Sequence, residues 1–336
     1  MTQPAAADAP PGPGLGFRRY RGEEDLPAML GVYRAAVAAD GLEEVLTLEQ
    51  LTLNYATLVN CDPDRDILLA EVDGTVVAYS RVFWTELVEG GRSYQNFGFV
   101  RPDWRRRGIG GAMHRHNEER LREIAAEHRN VAPKWFASDA VESDAGNTAL
   151  LLGSGYQPAR YFYDMVLPAL GAVEASPMPY GIELRPVTRD HYRAIWLAGA
   201  EAFRDHWGEN EWAEEDWMRF DSDPANADPR FWRAGWDGDE ISGAVITTVP
   251  GEENEAHGRA RVYVASVSVR RLWRRRGLAR ALLTGSLVAA REAGFTSASL
   301  GVDSNSPTGA TDLYESIGFI PERTFITYRK PLNPSA

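Results

Sequence analysis

The sequence predicts two successive domains of the α/β (α+β) class, each a mixed, mostly antiparallel sheet flanked by helices. The main observation is a phrase of three arginines, a glycine, an aliphatic residue and a small residue, which occurs at positions 105–110 and again at 274–279. Each copy follows a β-like run and precedes a stretch with helical spacing. Such a recurrence indicates one structural unit used twice, and 336 residues is the length of two domains of about 150 residues each.

Composition sets the expected boundaries. Residues 1–16 are rich in proline, alanine and glycine, and we expect them to form a disordered tail. The first domain is expected at residues 17–167 and the second at 182–331. The segment between them, 168–181, is rich in proline and poor in helix-forming pattern, so it is interpreted as a linker.

The first domain opens with a short extended segment at Phe17–Tyr20. Asp73-Gly74 stands between two β-rich runs, which is typical of a tight hairpin. The elements expected after the opening segment are, in chain order, a helix over Asp25–Ala38, strands over Ile67–Val72, Thr75–Trp84 and Gln95–Val100, and a helix over Ile109–Glu127.

The second domain repeats this order and shows how it continues. Leu278, Leu282, Leu283 and Leu287 fall at helical spacing and predict one buried stripe. The elements expected are an extended segment at Ile182–Arg185, a helix over Asp190–Phe203, strands over Phe231–Trp236, Glu240–Val249 and Arg261–Val269, a helix over Leu278–Ala293, a strand over Ser297–Asp303, a short helix reaching Ser316 and a last strand near Thr324–Tyr328.

Charge and composition exclude several classes of partner. A net charge of −12 argues against nucleic acid, and no run of 18 apolar residues predicts a membrane span. The N-terminus lacks the features of a signal peptide, so a cytoplasmic location is expected. The single cysteine, Cys61, excludes internal disulfides and a cysteine-based metal site, no partner for a catalytic thiol is apparent beside it, and no metal cofactor is expected.

The arginine phrases are either solvated loops or anion sites. Their small residues let the backbone approach a ligand closely, and the N–H groups at the start of the following helix point at an anion. Arginines beside such a helix start add charge that pairs with phosphate. The placement therefore favours a cradle for a pyrophosphate, present twice.

The end of the second domain adds a further pattern. After one helix and one strand, the Arg274–Ala279 phrase is followed by Asn305 and then by Leu313-Tyr314-Glu315 with Gly318-Phe319. With these residues the chain resembles the GNAT acetyltransferase superfamily. The resemblance covers nearly the whole chain as two tandem GNAT domains, and among tandem members the chain is most similar to the mycothiol synthase group.

The resemblance implies acetyl-CoA as the acyl donor. The family holds the pyrophosphate on the backbone of the arginine loop, and it pairs the pantetheine arm with the preceding strand. The residues implicated are Arg274, Arg275, Arg276, Gly277, Leu278 and Ala279 in the loop, Val267, Ser268 and Val269 in the strand, and Arg105, Gly108 and Gly110 in the corresponding loop of the first domain. Asn305 is either a contact to cofactor or substrate or a turn residue before Pro307.

Tyr314 matches the family's general acid, which protonates the departing thiolate. A phenol with an ordinary pKa near 10 is protonated at neutral pH and can serve this purpose. Alternatively, Tyr314 packs beside Gly318-Phe319. The strand Arg261–Val269 has no carboxylate, so the candidate base is Asp303, whose alternative role is to cap the following turn.

The first domain departs from the family pattern. When Gly155-Tyr156 is aligned with Gly318-Phe319, Leu151 stands where Tyr314 does. We therefore expect this domain not to acetylate, and either to bind CoA weakly or to support the other domain.

Acceptor recognition is expected in the region Phe203–Trp217, where aromatic residues alternate with carboxylates. Such a mixture holds an ammonium group by charge and cation–π contact. Glu209 and Glu211 are the candidate substrate-binding residues, whereas Trp212 and Trp217 also fit the core of an amphipathic helix.

The predicted function is direct acetyl transfer from acetyl-CoA to the primary amine of a small cationic substrate, catalysed by the second domain. The alternatives are mycothiol synthase-type acetylation of a cysteinyl amino-sugar conjugate, detoxification of an antibiotic or amino sugar, and a non-catalytic acyl-CoA sensor. The expected partner is a small-molecule amine, with neither nucleic acid nor membrane. The acceptor's identity and the choice between monomer and homodimer stay open.

Overall fold

The computed structural model describes residues 12–128 and 133–332. These residues form two compact units. The first unit runs up to Ala159 and also contains the residues from Ile326 onward, and the second unit is Arg160–Phe325. The predicted disordered tail lies largely outside the described residues, and the first strand begins at Leu15, inside the stretch assigned to that tail.

The first unit is a mixed sheet with helices. Its elements are, in chain order, β1 (Leu15–Arg19), α1 (Leu26–Ala39), α2 (Leu48–Ala56), α3 (Pro63–Asp66), β2 (Ile67–Val72), β3 (Thr75–Glu86), β4 (Arg92–Val100), α4 (Ile109–Glu127), β5 (Lys134–Val141) and α5 (Ala145–Gly153). The sheet order is β1-β2-β3-β4-β5, followed by residues 326–331 of the chain's last strand. The pairings from β1 to β4 are antiparallel, whereas β4 and β5 are parallel.

The second unit repeats the arrangement. Its elements are, in chain order, β6 (Gln157–Leu167, of which residues from Arg160 belong here), β7 (Glu183–Arg185), α6 (Tyr192–Phe203), α7 (Glu214–Ser222), β8 (Arg233–Asp237), β9 (Glu240–Thr248), α8 (Gly251–Ala256), β10 (Arg261–Val269), α9 (Leu278–Glu292), β11 (Ser297–Asp303), α10 (Ala310–Glu315) and β12 (Ile320–Pro331, up to Phe325). The sheet order is β6-β11-β10-β9-β8-β7, with β10 and β11 parallel. The predicted fold class is confirmed.

Two helices cover opposite faces of the second sheet. Along β9, Val245 packs in the cluster of Leu278, Leu282, Leu283 and Leu287 of α9, as the leucine spacing predicts. Its neighbours Ala244 and Ile246 pack instead with Tyr192 and Ile195 of α6. Because successive side chains of a strand point to opposite faces, α9 lies on one face and α6 on the other.

The compact units do not coincide with the predicted domain boundaries. Phe162–Leu167, assigned to the first domain, pair in register with β11 of the second unit. Leu170 and Val173, assigned to the linker, are buried in the core of the second unit. Unit membership depends on which strand a segment pairs with, and that is not visible in the composition of the segment.

Candidate active site

The second unit contains a cavity of about 800 Å³. It lies between the diverging ends of β10 and β11, the start of α9, and the segment after α6. The sequence-predicted residues that line it are Glu209, Val267, Ser268, Val269, Arg274, Arg275, Gly277, Leu278, Ala279, Asp303 and Tyr314. Arg276, Glu211 and Asn305 are absent from the lining.

A β-bulge opens this cavity. The parallel pairing of β10 with β11 covers only Arg261–Val264, although β10 continues to Val269. The pairing of β10 with β9 shifts register between Val264 and Ser266, which leaves Ala265 as the extra residue. A bulge bends its strand and ends regular pairing on that side, so the two parallel strands separate beyond it.

The loop before α9 has the backbone of an anion cradle. Arg275 and Gly277 both take positive φ angles, 62° and 83°, and α9 begins at the next residue, Leu278. Space does not require the glycine, since a Cβ there would meet nothing within 4 Å; the left-handed backbone does. The first N–H groups of a helix have no partner within the helix, so this loop fits the pyrophosphate expected of the cofactor.

The three arginines of this loop have different roles. Arg274 donates from Nη1 to Asp205 at 2.6 Å and from Nε and Nη2 to the carbonyls of Val269 and Ala202 at 3.0 and 2.9 Å. Its side chain is therefore a brace, and only its backbone serves a cradle, which corrects the expectation that all three arginines offer charge to phosphate. Arg275 and Arg276 are exposed, and neither forms an ion pair within the described part of the chain.

The first unit has the same loop conformation. Arg106 and Gly108 take φ angles of 62° and 82°, and α4 begins directly after them. Arg105 is again a brace, donating to both carboxylate oxygens of Asp40 at 2.5 and 2.8 Å and to the carbonyl of Val100 at 3.2 Å. Gly110 follows in the first turn of α4, at the position that Ala279 has in α9.

The strand residues contribute through their backbone. The hydroxyl of Ser268 is buried and donates to the carbonyl of Ala244 on β9 at 3.3 Å. Val267 and Val269 pack their side chains against the core cluster of the second unit. These residues contribute to the cavity the backbone edge of β10, which is no longer paired with β11.

Tyr314 lines the cavity and is also part of the core. Its ring meets Phe319 at 5.9 Å in an edge-on arrangement, and 6% of the residue is exposed. Burial raises the pKa of Tyr314 above its ordinary value, so the phenol is protonated at neutral pH. Its hydroxyl has no hydrogen-bond partner among the described residues, which leaves it available to a ligand. The packing beside Phe319 is therefore observed, and the role of general acid stays a prediction.

Asp303 is engaged in a different way from the one predicted. Its two oxygens accept from Nε and Nη2 of Arg160 at 2.7 and 2.8 Å, and Oδ1 also accepts from the backbone N–H of Asn305 at 3.0 Å. Both oxygens of this carboxylate are thus already engaged by the guanidinium of Arg160. Asp303 thus takes the alternative role of ordering the turn, and Asn305, outside the cavity lining, is the turn residue.

The segment after α6 forms one end of the cavity, and the sequence predicts that this segment contacts the acceptor. Glu209 lines the cavity and accepts from Nε1 of Trp212 at 2.8 Å, and burial raises the pKa of the Glu209 carboxyl. Glu211 instead lies 3.5 Å from Arg204, and its side chain is 67% exposed. Trp212 and Trp217 both pack against Trp196; Trp217 lies in α7, as the alternative of an amphipathic helix predicts, whereas Trp212 precedes that helix.

The sequence analysis missed several lining residues. Asp164 lies on β6, directly across from Gly301 of β11, and β6 had been assigned to the other domain. His206, which lies within the region expected to contact the acceptor but was given no role, lines the cavity, and burial lowers the pKa of its imidazole, so the ring is neutral at pH 7. Arg280, in the first turn of α9, donates to the hydroxyl of Ser316. The sequence offered one indication that Arg280 belongs to the site, which is that it lies three residues after Gly277.

The first unit differs from the second at the position equivalent to Tyr314 and in the pairing of the strand equivalent to β10. The N–H of Tyr156 donates to the carbonyl of Leu151 at 3.0 Å, as that of Phe319 does to Tyr314 at 3.1 Å, so the two turns are equivalent. Leu151 is 1% exposed and belongs to the core. The pairing of β3 with β4 runs without a register shift.

A side-chain bond also joins the two parallel strands of the first unit. The hydroxyl of Ser138 on β5 donates to the carbonyl of Asn96 on β4 at 2.9 Å, one step past the last parallel pair, Gln95 with Ala137. In the second unit, Gly301 follows the last paired residue of β11 in the same way and has no side chain to make such a bond. The bulge and the phenol thus occur in the second unit and not at the equivalent positions of the first.

The described residues, 12–128 and 133–332, contain neither a cluster of metal ligands nor a helix that could span a membrane. No group of three or more histidine, cysteine, aspartate or glutamate side chains there is arranged to hold a metal ion. No helix in the same residues has the length and hydropathy to cross a membrane.

Comparison with known proteins gives a consistent result. The sequence model of the acetyltransferase (GNAT) family matches residues 37–134 and 192–319. A mycothiol acetyltransferase of Thermobispora bispora is 28% identical over 312 residues, which cover 91% of this chain and 96% of that protein. The crystal structure of a GCN5-related N-acetyltransferase from Sphaerobacter thermophilus matches with a TM-score of 0.71 at 24% identity, over 100% of this chain and 98% of that one. A tandem GNAT protein from the clavulanic acid biosynthesis pathway matches with a TM-score of 0.64 at 16% identity, over 96% of this chain and 100% of that one.

Proposed function

Because this chain belongs to the GNAT family of acetyltransferases, we propose that its second unit transfers an acetyl group from acetyl-CoA directly to the primary amine of a small cationic acceptor. The observation that carries the proposal is that Tyr314 and the cradle residue Gly277 line one cavity. Acetyl-CoA supplies the activated acetyl group as a thioester. The remaining steps are the work of residues in the chain.

The backbone from Arg274 to Ala279 would hold the pyrophosphate. Arg275 and Arg276, exposed and outside any ion pair among the described residues, would add charge to that contact. The uncovered edge of β10 at Val267–Val269 would pair with the pantetheine arm. An N–H on that edge would also stabilise negative charge on the carbonyl oxygen, an effect worth roughly 3–4 kcal/mol in acyl transfer.

Tyr314 would act as the general acid. Its hydroxyl has no partner among the described residues to compete with a departing thiolate, and burial keeps it protonated. A neutral phenol that donates a hydrogen bond and then a proton to the sulfur lowers the charge that the leaving group must carry.

The acceptor amine must lose a proton before it attacks. His206 is neutral at pH 7 and makes no side-chain hydrogen bond within the described residues, so we assign it the role of proton acceptor, directly or through water. Glu209 would hold the positive charge of the acceptor, and the rings of Phe203 and Trp207 on the same cavity would contact its apolar part.

The first unit would not catalyse the reaction. It has the cradle backbone but neither a phenol at Leu151 nor the bulge that opens the second cavity. A role in weak CoA binding or in support of the second unit is consistent with these features.

One relative favours a second, narrower candidate. The similarity to a mycothiol acetyltransferase extends over 91% of this chain, which supports acetylation of a cysteinyl amino-sugar conjugate as the specific reaction. Release of CoA, measured with a panel that contains this conjugate, simple primary amines and amino sugars, tests both candidates. Saturable binding of acetyl-CoA without turnover of any acceptor would contradict both and favour a sensor.

A further inference from the structure

Arg81 of the first unit has no anionic partner in the described part of the chain. It lies on β3, opposite Ile67 of β2 and Phe97 of β4. Its Nε is buried and has no hydrogen-bond partner, and its guanidinium forms no ion pair with a described residue. The residue keeps intermediate exposure, so part of it is reachable from solvent.

The lack of an anionic partner distinguishes Arg81 from the other described arginines whose Nε is buried without a hydrogen bond. Within the described residues, five arginines have a buried Nε without a hydrogen bond. Four of them have a carboxylate within 4 Å, and these pairs are Arg92 with Glu86, Arg259 with Glu253, Arg261 with Glu322 and Arg329 with Glu89. Burying a charge is costly unless it is paired, so an unpaired guanidinium requires an explanation.

The surroundings of Arg81 are aromatic. Its guanidinium carbon lies 4.8 Å from the ring centre of Phe97, 5.3 Å from that of Tyr55 and 5.4 Å from that of Phe83. Asp66, which acts electrostatically on the neighbouring Cys61, is itself bound to Arg120 at 2.7 Å and is not free to pair with Arg81.

A second buried polar atom belongs to the same group. The hydroxyl of Tyr55 is buried and has no partner among the described residues, and burial raises the pKa of this phenol, so it remains a hydrogen-bond donor. The Tyr55 ring contacts the Arg81 guanidinium, so a charged donor and a phenol donor belong to one group of side chains that contains no acceptor for them among the described residues. An acceptor that carries negative charge would satisfy both.

We propose that Arg81, Tyr55, Phe83 and Phe97 form a binding site in the first unit for a small organic carboxylate with a planar apolar body. The carboxylate accepts from the guanidinium and the Tyr55 hydroxyl, and the rings contact the body of the ligand. The three rings favour an organic carboxylate over inorganic phosphate, because a hydrated anion without apolar surface gains nothing from them. The site is independent of the acetyl-transfer function proposed above, since all its residues belong to the first unit.

Benzoate is the probe for this site, and two measurements on the full chain report its binding. Saturable binding to the native state raises the midpoint of thermal unfolding. Cys61 is the chain's single cysteine and packs with Tyr55 and Phe97 in one cluster, so benzoate should slow its reaction with a disulfide reagent. Inorganic phosphate at the same concentration should do neither.

The variant Arg81→Met should weaken benzoate binding at least about 10-fold, because it removes the charged donor and keeps the apolar stem. The matched control is Arg92→Met, since Arg92 also lies over a ring, that of Trp84 at 4.4 Å, but has Glu86 as its partner. This control should bind benzoate normally. If Arg81→Met fails to fold, Tyr55→Phe keeps the ring and should still weaken binding several-fold.

Absence of any benzoate effect on the wild-type chain would overturn the proposal. So would a benzoate effect that persists unchanged in Arg81→Met or, should that variant not fold, in Tyr55→Phe. Binding of phosphate as tight as that of benzoate would overturn the assignment to an organic carboxylate.

Discussion

Arg274 and Asp205 join the two halves of the candidate active site. The guanidinium of Arg274 donates to Asp205 at 2.6 Å, and Arg271 donates to the same carboxylate. Asp205 directly precedes His206, and Arg274 opens the loop that leads to α9. The segment expected to contact the acceptor is thereby fixed to the loop expected to hold the cofactor.

Asp205→Asn should weaken this connection. Hydrogen bonds from Arg271 and Arg274 hold the pKa of Asp205 well below its usual range, so the carboxylate is charged throughout the neutral pH range. Loss of that charge should raise KM for acetyl-CoA and acceptor together, each several-fold, with a loss of about 1 kcal/mol in the free energy of unfolding. Steady-state kinetics and denaturant unfolding measure both effects.

Asp40→Asn is the matched control, because Asp40 holds Arg105 in the first unit as Asp205 holds Arg274. It should lower stability by a similar amount and leave both KM values unchanged. Asp205→Asn with unaltered KM values would show that the brace serves folding alone.

Tyr314→Phe should lower kcat by about 10²- to 10⁴-fold, the contribution typical of a general acid. Affinity for acetyl-CoA should stay near normal, because the hydroxyl makes no hydrogen bond within the described protein and the ring keeps its contact with Phe319. Turnover by the purified variant, with cofactor affinity from calorimetry, checks this. An unchanged kcat would remove Tyr314 from the role of acid.

The complementary variant concerns Leu151, the equivalent position in the first unit. Leu151→Tyr in a Tyr314→Phe background should not restore turnover, since β4 lacks the bulge that separates β10 from β11. Restored turnover would show that the first unit needs only a phenol to become active.

Gly277→Ala should reduce acetyl-CoA affinity about tenfold. The φ angle of 83° costs an alanine roughly 1–2 kcal/mol, and relief of that strain would misplace the N–H groups of the loop. Gly108→Ala is the control, at a φ angle of 82° in the first unit. It should lower stability similarly without changing KM for acetyl-CoA, and the reverse result would place the catalytic cofactor site in the first unit.

If His206 is the proton acceptor, kcat/KM should have an acid limb, which is a fall on the acidic side of its pH profile. Burial, the largest cause, lowers the pKa of this imidazole below its ordinary value near 6.5. A proton acceptor must be neutral, so activity should fall as the pH drops through this lowered pKa, and the contribution of His206 to stability should decrease below about pH 6.5 as well. In His206→Gln the remaining activity should lose this limb. If the acid limb of the kcat/KM profile keeps its midpoint and its amplitude in His206→Gln, the limb belongs to another titrating group.

Glu209 lines the cavity and Glu211 is exposed, so substitutions of the two test whether contact with the acceptor matters. Glu209→Gln should raise KM for the acceptor about tenfold and leave KM for acetyl-CoA unchanged, because the carboxylate lines the end of the cavity that is expected to contact the acceptor. Glu211→Gln, whose side chain is 67% exposed, should have no effect on either constant. Equal effects of the two substitutions would mean that the long-range charge of the segment, rather than contact, attracts the acceptor.

Much of the site was predictable from local patterns. The strands Arg261–Val269 and Ser297–Asp303 and the helix Ile109–Glu127 have the bounds expected from the sequence. The cradle was predictable because its left-handed backbone depends on residues that are adjacent in the chain. Tyr314 was found through its neighbours in the same motif.

The residues that were missed or misassigned depend on contacts across the fold. Asp303 looked like a free carboxylate until Arg160, 143 positions away in the chain, was brought to it. Asp164 was assigned to the wrong domain because nothing local shows that β6 pairs with β11. Arg274 looked like a phosphate ligand until its partner Asp205 was known.

The repeated α/β unit, the two loop-and-helix cradles and the single tyrosine of the motif could therefore be predicted from the chain, because each is encoded by residue types at short, regular spacing. Which strands separate, which charges are paired and which side chains share a cavity became visible in the folded molecule alone. Pairing and burial are relations between distant residues, and a bulge at Ala265 changes them without leaving a pattern along the chain.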